Sequence, residues 1–168
     1  MRRLPVYFLL DTSGSMYGEP IHALNNALSG MINTLRQDPQ ALDSLWISII
    51  TFDRDVNEVC PLTELAMFQL PEITCPQSGP THTGKALELL YTKVQSDIKK
   101  STENQKGDWK PLLFLFTDGK PSDIQLYNEI APKVRNLNFG AIVACAAANL
   151  ADDSKLKVLT DDVVHLDN

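Results

Sequence analysis

Hydrophobic and polar positions along this chain form two kinds of segment that alternate. Short runs that are apolar at consecutive positions are typical of strands buried on both faces of a parallel sheet. They occupy residues 6–10, 45–52, 111–116, 139–147 and 163–166. Between them, apolar residues recur at helical spacing, in the sets Ile21, Leu24, Leu28, Met31, Ile32, Leu35 and Leu87, Leu90, Tyr91, Val94, Ile98. The alternation predicts a doubly wound α/β fold, with a mostly parallel sheet and helices on both faces.

Two more helices are predicted in the second half of the chain. One begins at Ser122, whose hydroxyl would cap it while Gln125 reaches back, and Asp123 would place a favourable charge in its first turn. Its apolar stripe is Tyr127, Ile130, Val134 and Leu137. A weaker helix is expected over residues 152–160.

The second strand is followed by a turn that is too short for a helical crossover. Asp53-Arg54-Asp55 leads directly from residues 45–52 into residues 56–60. This spacing predicts a hairpin and therefore one antiparallel edge strand.

Composition and charge narrow the class of protein. With 168 residues, 43% apolar and 21% charged, the chain suits one domain over residues 1–168. The net charge is −6, and the basic pairs Arg2-Arg3 and Lys99-Lys100 are short and separate. We therefore expect no nucleic-acid partner and no acidic membrane surface as a partner.

The N-terminus and the cysteines indicate a cytoplasmic protein. The apolar run after Arg2-Arg3 stops at Asp11 with no cleavage site of small residues, so it predicts a buried strand rather than a secretory signal. No run of about 18 apolar residues would span a bilayer. Three cysteines make a disulfide framework an unfavourable interpretation, with a Cys60–Cys75 pair as the minor alternative.

Residues 79–86, GPTHTGKA, share the glycine and lysine spacing of a phosphate-binding P-loop. The residue after Lys85 is Ala86, which lacks the hydroxyl that would bind magnesium, and Pro80 removes one amide donor. The preceding segment, LPEITCPQS, has two prolines and no continuous apolar run, so it does not have the pattern of a strand. A P-loop ATPase is thus the alternative function rather than the preferred one.

DTSGSM, residues 11–16, offers different chemistry. Asp11, Ser13 and Ser15 lie at alternate positions past the end of a strand, so their oxygens converge if the chain stays extended. A carboxylate and two hydroxyls form a hard, all-oxygen group that suits Mg²⁺. Asp118 ends another apolar strand in the same way. The alternative is a purely structural role, in which Asp11 and Ser13 only cap a helix starting near residues 17–20.

These segments together resemble a known family. DTSGS, a threonine in the glycine-containing loop ahead of a helix, and the aspartate of LFTDG are similar to the metal-ion-dependent adhesion site of von Willebrand factor type A domains. The similarity spans nearly the whole chain. Within that family, LFTDGKPSD resembles the TerY-like group associated with tellurite resistance.

The resemblance implies a role for each residue. Ser13 and Ser15 would bind the metal directly, Asp11 and Asp118 would hold it largely through water, and Thr81 would be the threonine ligand. Thr83 is the reserve candidate and otherwise caps the following helix. The ion would be Mg²⁺, or Mn²⁺ or Ca²⁺.

The resemblance also implies a function without catalysis. The cation would keep one coordination position for a Glu or Asp of a partner protein, with kinase- or phosphatase-like proteins as the partners that relatives accompany. Lys85, Lys120 and His82 lie near the expected rim, and Asp53 and Asp55 belong to the hairpin turn. A phosphotransferase that forms an aspartyl phosphate on Asp11 is a further alternative, but Ser13 stands where the acid/base aspartate is needed.

Overall fold

The structure is a computed structural model, and it describes residues 2–118, 120–147 and 153–166. Six strands form one sheet in the order β3-β2-β1-β4-β5-β6. Their bounds are β1 Leu4–Asp11, β2 Leu45–Phe52, β3 Val56–Glu64, β4 Leu112–Thr117, β5 Ala141–Ala146 and β6 Val163–His165. All neighbours pair in parallel except β2 and β3, which are antiparallel. The predicted fold class and the antiparallel edge strand are confirmed.

Helices cover both faces of this sheet. Four α-helices lie in the described residues: α1 Glu19–Arg36, α2 Pro39–Ser44, α3 Thr83–Asp97 and α4 Ile124–Arg135. Alternate residues of β1 enter two separate cores, as the period of a strand requires. Tyr7 and Leu9 pack with α3 and α4, whereas Phe8 and Leu10 pack with α1. Because both faces are buried, β1 is apolar at consecutive positions.

Two predicted elements differ from the structure. In place of the helix over residues 152–160, the described part of that segment contains a short 3-10 helix, Leu156–Val158, and residue 152 lies outside the described residues. The prediction missed α2, although Asp38 followed by Pro39 is a strong start signal. The Asp38 side chain accepts a hydrogen bond from the Gln40 amide at 2.9 Å.

All three cysteines are free thiols, so the Cys60–Cys75 alternative is not formed. No helix in the described ranges has the length and apolar character needed to cross a membrane. The loops that follow β1, β2 and β4 lie at the carboxyl end of the sheet, where ligands bind in folds of this class.

Candidate metal centre

Asp11 is the last residue of β1, and its side chain is fully buried. One carboxylate oxygen, Oδ1, accepts a hydrogen bond from the Ser13 amide at 2.8 Å. The other, Oδ2, accepts one from the Thr117 hydroxyl at 2.7 Å. Sequence analysis missed Thr117, which joins the loops after β1 and β4 by orienting this carboxylate.

Ser13 and Ser15 are brought together by a 3-10 turn over Gly14–Met16. Their hydroxyl oxygens lie 3.0 Å apart, with Ser13 buried and Ser15 exposed. Neighbouring ligands of an octahedral Mg²⁺ at about 2.1 Å are also about 3.0 Å apart. The pair therefore has the spacing of two adjacent metal ligands, and it opens from the interior to the surface.

Gly14 lets this turn approach the loop ahead of α3. A Cβ at Gly14 would lie 2.5 Å from the Cα of Ser78, so no other residue fits without backbone movement. The Gly14 amide donates to the carbonyl of Gly79 at 3.3 Å. This contact places residues 79–82 beside the serine pair.

Thr81 is buried and held from two sides. Its amide donates to the Ser122 hydroxyl at 2.9 Å, and the Ser122 amide donates to its carbonyl at 2.7 Å. The next residue, His82, donates its amide to the Asp53 carbonyl at 3.0 Å. Loop 79–82 thus touches the loops after β1, β2 and β4.

Asp118 follows β4 directly and is 5% exposed. Its Oδ1 accepts a hydrogen bond from the Lys120 amide at 3.1 Å. Its negative charge acts on Asp11. The structure therefore brings Asp11, Ser13, Ser15 and Asp118 to one end of the sheet, with Thr81 on the adjoining loop.

The charge of Asp11 is not compensated by any residue that the structure describes. The pKa of Asp11 is raised to about 6, because burial and the charge of Asp118 raise it by more than the hydrogen bonds from Ser13 and Thr117 lower it. Neither Asp11 nor Asp118 forms an ion pair within the described residues. A cation bound beside the two carboxylates would supply the missing positive charge.

Clusters rich in histidine, cysteine or acid are a different kind of metal site. Across the described ranges, no group of three or more His, Cys, Asp or Glu side chains is placed to hold a metal ion. The candidate ligands here are two carboxylates and three hydroxyls. Such a set depends on hydroxyl oxygens for most of its contacts with the ion.

Two expected helix caps are wrong. Ser122 does not cap α4, because its hydroxyl accepts the Thr81 amide and α4 begins at Ile124. Thr83 is the first residue of α3 rather than its cap, and its buried hydroxyl has no hydrogen-bond partner in the described structure. The cap of α1 is Gly18, so the capping role for Asp11 and Ser13 is also wrong.

Asp123 caps α3 instead of acting in the first turn of its own helix. Its two carboxylate oxygens accept hydrogen bonds from the amides of Gly84, at 3.0 Å, and Lys85, at 2.9 Å. Gly84 permits this contact, because a Cβ there would lie 2.7 Å from the Tyr127 amide nitrogen. No local sequence signal marks a cap that lies 39 residues away.

The same contacts disfavour a P-loop. The amides of Gly84 and Lys85, which a phosphate would need at the start of α3, already donate to Asp123. No strand leads directly into this loop, because residues 66–82 contain neither strand nor helix. The position after Lys85 is the buried Ala86, which has no hydroxyl to offer a metal ion.

The hairpin turn has the expected form and one further contact. Asp53 accepts the Asp55 amide at 3.0 Å, which closes the turn. Its other oxygen lies 3.1 Å from the hydroxyl of the buried Thr12, which donates to it. Asp53 therefore supports the loop after β1 through Thr12.

Comparison with known proteins identifies the family. The sequence profile of the von Willebrand factor type A domain matches residues 6–165. The chain belongs to the von Willebrand factor type A (VWA) family. No curated protein sequence matches this VWA domain.

Solved structures share its fold at low sequence identity. The domain is similar to the pilus adhesin SpaC from Lactobacillus rhamnosus GG, with a TM-score of 0.69, 13% identity, and coverage of 100% of this chain and 28% of that chain. It is also similar to the manganese-loaded TRAP protein of Plasmodium vivax, with a TM-score of 0.66, 20% identity, and coverage of 99% of this chain and 69% of that chain. A third similar structure is proximal thread matrix protein 1 of the mussel byssus, with a TM-score of 0.65, 11% identity, and coverage of 98% of this chain and 43% of that chain. This VWA domain thus spans less than half of two of these three proteins.

Proposed function

We propose that this VWA domain binds a divalent cation at the carboxyl end of its sheet and uses it to dock an acidic residue of a partner protein. The observation that carries the proposal is Asp11, a buried carboxylate that feels the charge of Asp118, has neutral hydrogen-bond donors and forms no ion pair with a described residue. VWA domains commonly serve as protein-interaction modules, and the TRAP structure is manganese-loaded.

The hydrogen bonds support different roles for the ligands. Both oxygens of Asp11 already accept a hydrogen bond, so it suits contact with the ion through water. Ser13 and Ser15 have hydroxyls at the spacing of adjacent direct ligands. Thr81 would supply a third hydroxyl, and Asp118 would hold the ion through water. Mg²⁺, Mn²⁺ and Ca²⁺ all take oxygen ligands of this kind, so each is a candidate for the ion.

The small number of anionic ligands explains why such an ion would bind a carboxylate of a partner protein. Hydroxyls and water neutralise little of its charge, so the ion when bound supplies a positive centre for a carboxylate. Arg54 and Lys120 are exposed on the loops after β2 and β4, and Lys85 is exposed in the first turn of α3. Their charges favour the approach of acidic groups. Specificity for a given partner would come from this rim.

Catalysis is not part of the proposal. Within the described residues, the hydroxyls of Ser13 and Ser15 hydrogen-bond to each other, and no histidine or lysine side chain contacts either of them. The likeness of LFTDGKPSD to the TerY-like group supports a place in tellurite or stress resistance in a bacterial cytoplasm. Kinase- or phosphatase-like proteins of that system are then the partners to test first.

Thermal stability measured against MgCl₂, MnCl₂ and CaCl₂ tests the ion. At about 100 times the dissociation constant, binding stabilises the fold by about 2.7 kcal/mol, which raises Tm by roughly 5–10 °C. The rise should be lost in Ser13→Ala and kept in the matched control Ser29→Ala, which removes the same atom from the exposed face of α1. Stabilisation that needs Mg-ATP and disappears in Lys85→Ala would contradict the proposal.

A labelled peptide with a single Glu tests docking. Its binding in MgCl₂ should be lost with EDTA, in the matching Gln peptide and in Ser13→Ala. Binding that survives both EDTA and the Gln substitution would refute docking through the ion.

A further inference from the structure

A second candidate surface lies at the opposite end of the sheet. The end of α3, the segment ahead of β4 and the turn between α4 and β5 surround a cavity of about 520 Å³. Its main side chains are Lys99, Trp109, Lys110, Pro111, Leu137 and Phe139. A cavity of this size accepts one or two side chains of a bound peptide.

Trp109 stands at the edge of this cavity and is held rigidly. Its side chain is about half exposed, at 50%. The Trp109 amide donates to the Arg3 carbonyl at 2.8 Å, and the Arg2 guanidinium lies 3.7 Å from the ring centroid. A second cavity of about 580 Å³, which Arg2 and Lys110 also line, adjoins the same ring. A fixed aromatic side chain between two cavities can bind a partner at low entropic cost.

The charges around Trp109 are positive on a protein that is acidic overall. Lys99, Lys100 and Lys110 are exposed, and none of them forms an ion pair with a described residue. The one carboxylate that lines either cavity is Asp108. Its oxygens are already used by two donors of Arg3 and by the Lys99 amide. The charge of Lys99 acts on Asp108, and those of Lys100 and Lys110 remain available, although the whole chain carries −6.

We propose that this face is a docking surface for an acidic segment of a partner protein that carries an aromatic or aliphatic side chain. The acidic residues would pair with Lys99, Lys100 and Lys110, and the apolar side chain would pack against Trp109 and Phe139 in the cavity. A protein segment is favoured over nucleic acid, because the cavity of about 520 Å³ beside Trp109 has room for one or two side chains. The surface needs no metal ion, and it would let the domain hold two partners at once.

The lysines also lie beyond the C-terminal end of α3, where cations stabilise a helix. This effect alone predicts a loss of stability in charge-reversal variants and no loss of binding. Thermal stability is therefore measured for every variant used below.

The test uses a fluorescein-labelled peptide of six Glu around a central Phe, in EDTA so that no cation site can contribute. Fluorescence anisotropy gives its affinity. The variant Lys99→Glu/Lys110→Glu should weaken binding about tenfold or more. The matched control Lys133→Glu/Lys155→Glu reverses two exposed lysines elsewhere and should bind within about twofold of the parent. Ser13→Ala should bind as the parent does.

Two companion measurements fix the site. The indole N–H resonance of Trp109 should shift on titration with the peptide, and a peptide with Ala in place of Phe should bind several-fold more weakly. Equal affinity in Lys99→Glu/Lys110→Glu, with an unmoved Trp109 resonance, would overturn the proposal. So would tighter binding of duplex DNA or of phosphatidylserine vesicles that is lost in the same variant, because it would assign the surface to another class of partner.

Discussion

Asp108 lies beside the start of β1 and Asp11 is its last residue, and the two carboxylates have different hydrogen-bond partners. Arg3 donates Nε and Nη2 to Asp108 at 2.9 and 2.7 Å, and the Lys99 amide adds a third hydrogen bond. Asp11 accepts hydrogen bonds from the neutral donors Ser13 and Thr117. The carboxylate of Asp108 has its counter-charge within the fold, whereas no cationic side chain among the described residues pairs with that of Asp11.

The pKa directions express this contrast. Burial alone would raise the pKa of Asp108, but the hydrogen bonds and charge of Arg3, with the Lys99 amide, bring it below its usual value. Burial also dominates at Asp11, and there the neutral donors are too weak to prevent a rise to about 6. The contrast teaches that Asp108 stabilises the fold, whereas Asp11 costs stability unless something outside the chain neutralises it.

Removing the guanidinium of Arg3, which pairs with Asp108, should have the largest effect on the free energy of unfolding. Arg3→Ala leaves a carboxylate whose side chain is 3% exposed without its partner, and we expect a loss of about 3 kcal/mol. Because the folded pKa of Asp108 is lowered, the difference from the parent is full above about pH 4 and shrinks as the pH falls below that. Urea denaturation at pH 7 and pH 3 measures it. Arg135→Ala, which breaks the exposed pair with Asp161, is the matched control and should cost under about 1 kcal/mol.

Neutralising the carboxylate at the other end should act in the opposite direction. In EDTA at pH 7.5, Asp11→Asn should raise the free energy of unfolding by about 2 kcal/mol. The shift from 3.8 to about 6 sets a limit of about 3 kcal/mol, and a poorer hydrogen bond with Thr117 takes back about 1 kcal/mol.

The sign of the pH dependence follows from the raised pKa of Asp11. Between about pH 4 and pH 6 the folded protein binds more protons at this residue than the unfolded chain, so the parent loses stability as the pH rises. Asp11→Asn should lack that loss. A variant that is less stable than the parent at pH 7.5 in EDTA would contradict the account of Asp11.

Two glycines allow close approach at the two ends and sharpen the contrast further. Gly14→Ala should cost about 1.5 kcal/mol, because its Cβ would meet the Ser78 backbone at 2.5 Å. Gly107→Ala at the other end should cost about as much, since its Cβ would meet the Lys99 carbonyl oxygen at 2.3 Å. Only Gly14→Ala should also abolish stabilisation by MgCl₂. Equal retention of the Mg²⁺ effect in both variants would show that the turn at Gly14 does not build the site.

Asp123 offers a third treatment of a carboxylate, with backbone amides as its partners. Asp123→Ala frees the amides of Gly84 and Lys85 at the start of α3 and should cost about 1 kcal/mol. Thermal denaturation checks this value. Asp43→Ala on α2 is a control in which no such cap is lost. A neutral result for Asp123→Ala would mean that water satisfies those amides equally well.

Much of the fold was predictable because burial on both faces makes the strands apolar at consecutive positions. Residues 45–52 match β2, and the short turn after it revealed the antiparallel edge. The candidate site was predictable where it is local, since Asp11, Ser13 and Ser15 follow one another at alternate positions. Asp118 was indicated by its place at the end of another apolar strand, and the resemblance to the family singled out Thr81.

Contacts between distant segments could not be predicted. The Thr117 hydroxyl reaches Asp11 across 106 residues, and Asp123 reaches Gly84 across 39. Both depend on which strands and helices become neighbours, and no local pattern encodes that. For the same reason Ser122 had the sequence of a cap, yet the structure uses its hydroxyl to fix Thr81.

A crystal structure of the protein grown with MnCl₂ tests the central claim most directly, because the anomalous signal of manganese locates the ion. The account predicts one strong peak within about 2.0–2.3 Å of the hydroxyl oxygens of Ser13 and Ser15, with Asp11 and Asp118 around it. A well-ordered crystal in which these residues surround no peak, or in which manganese binds at another place, would contradict it.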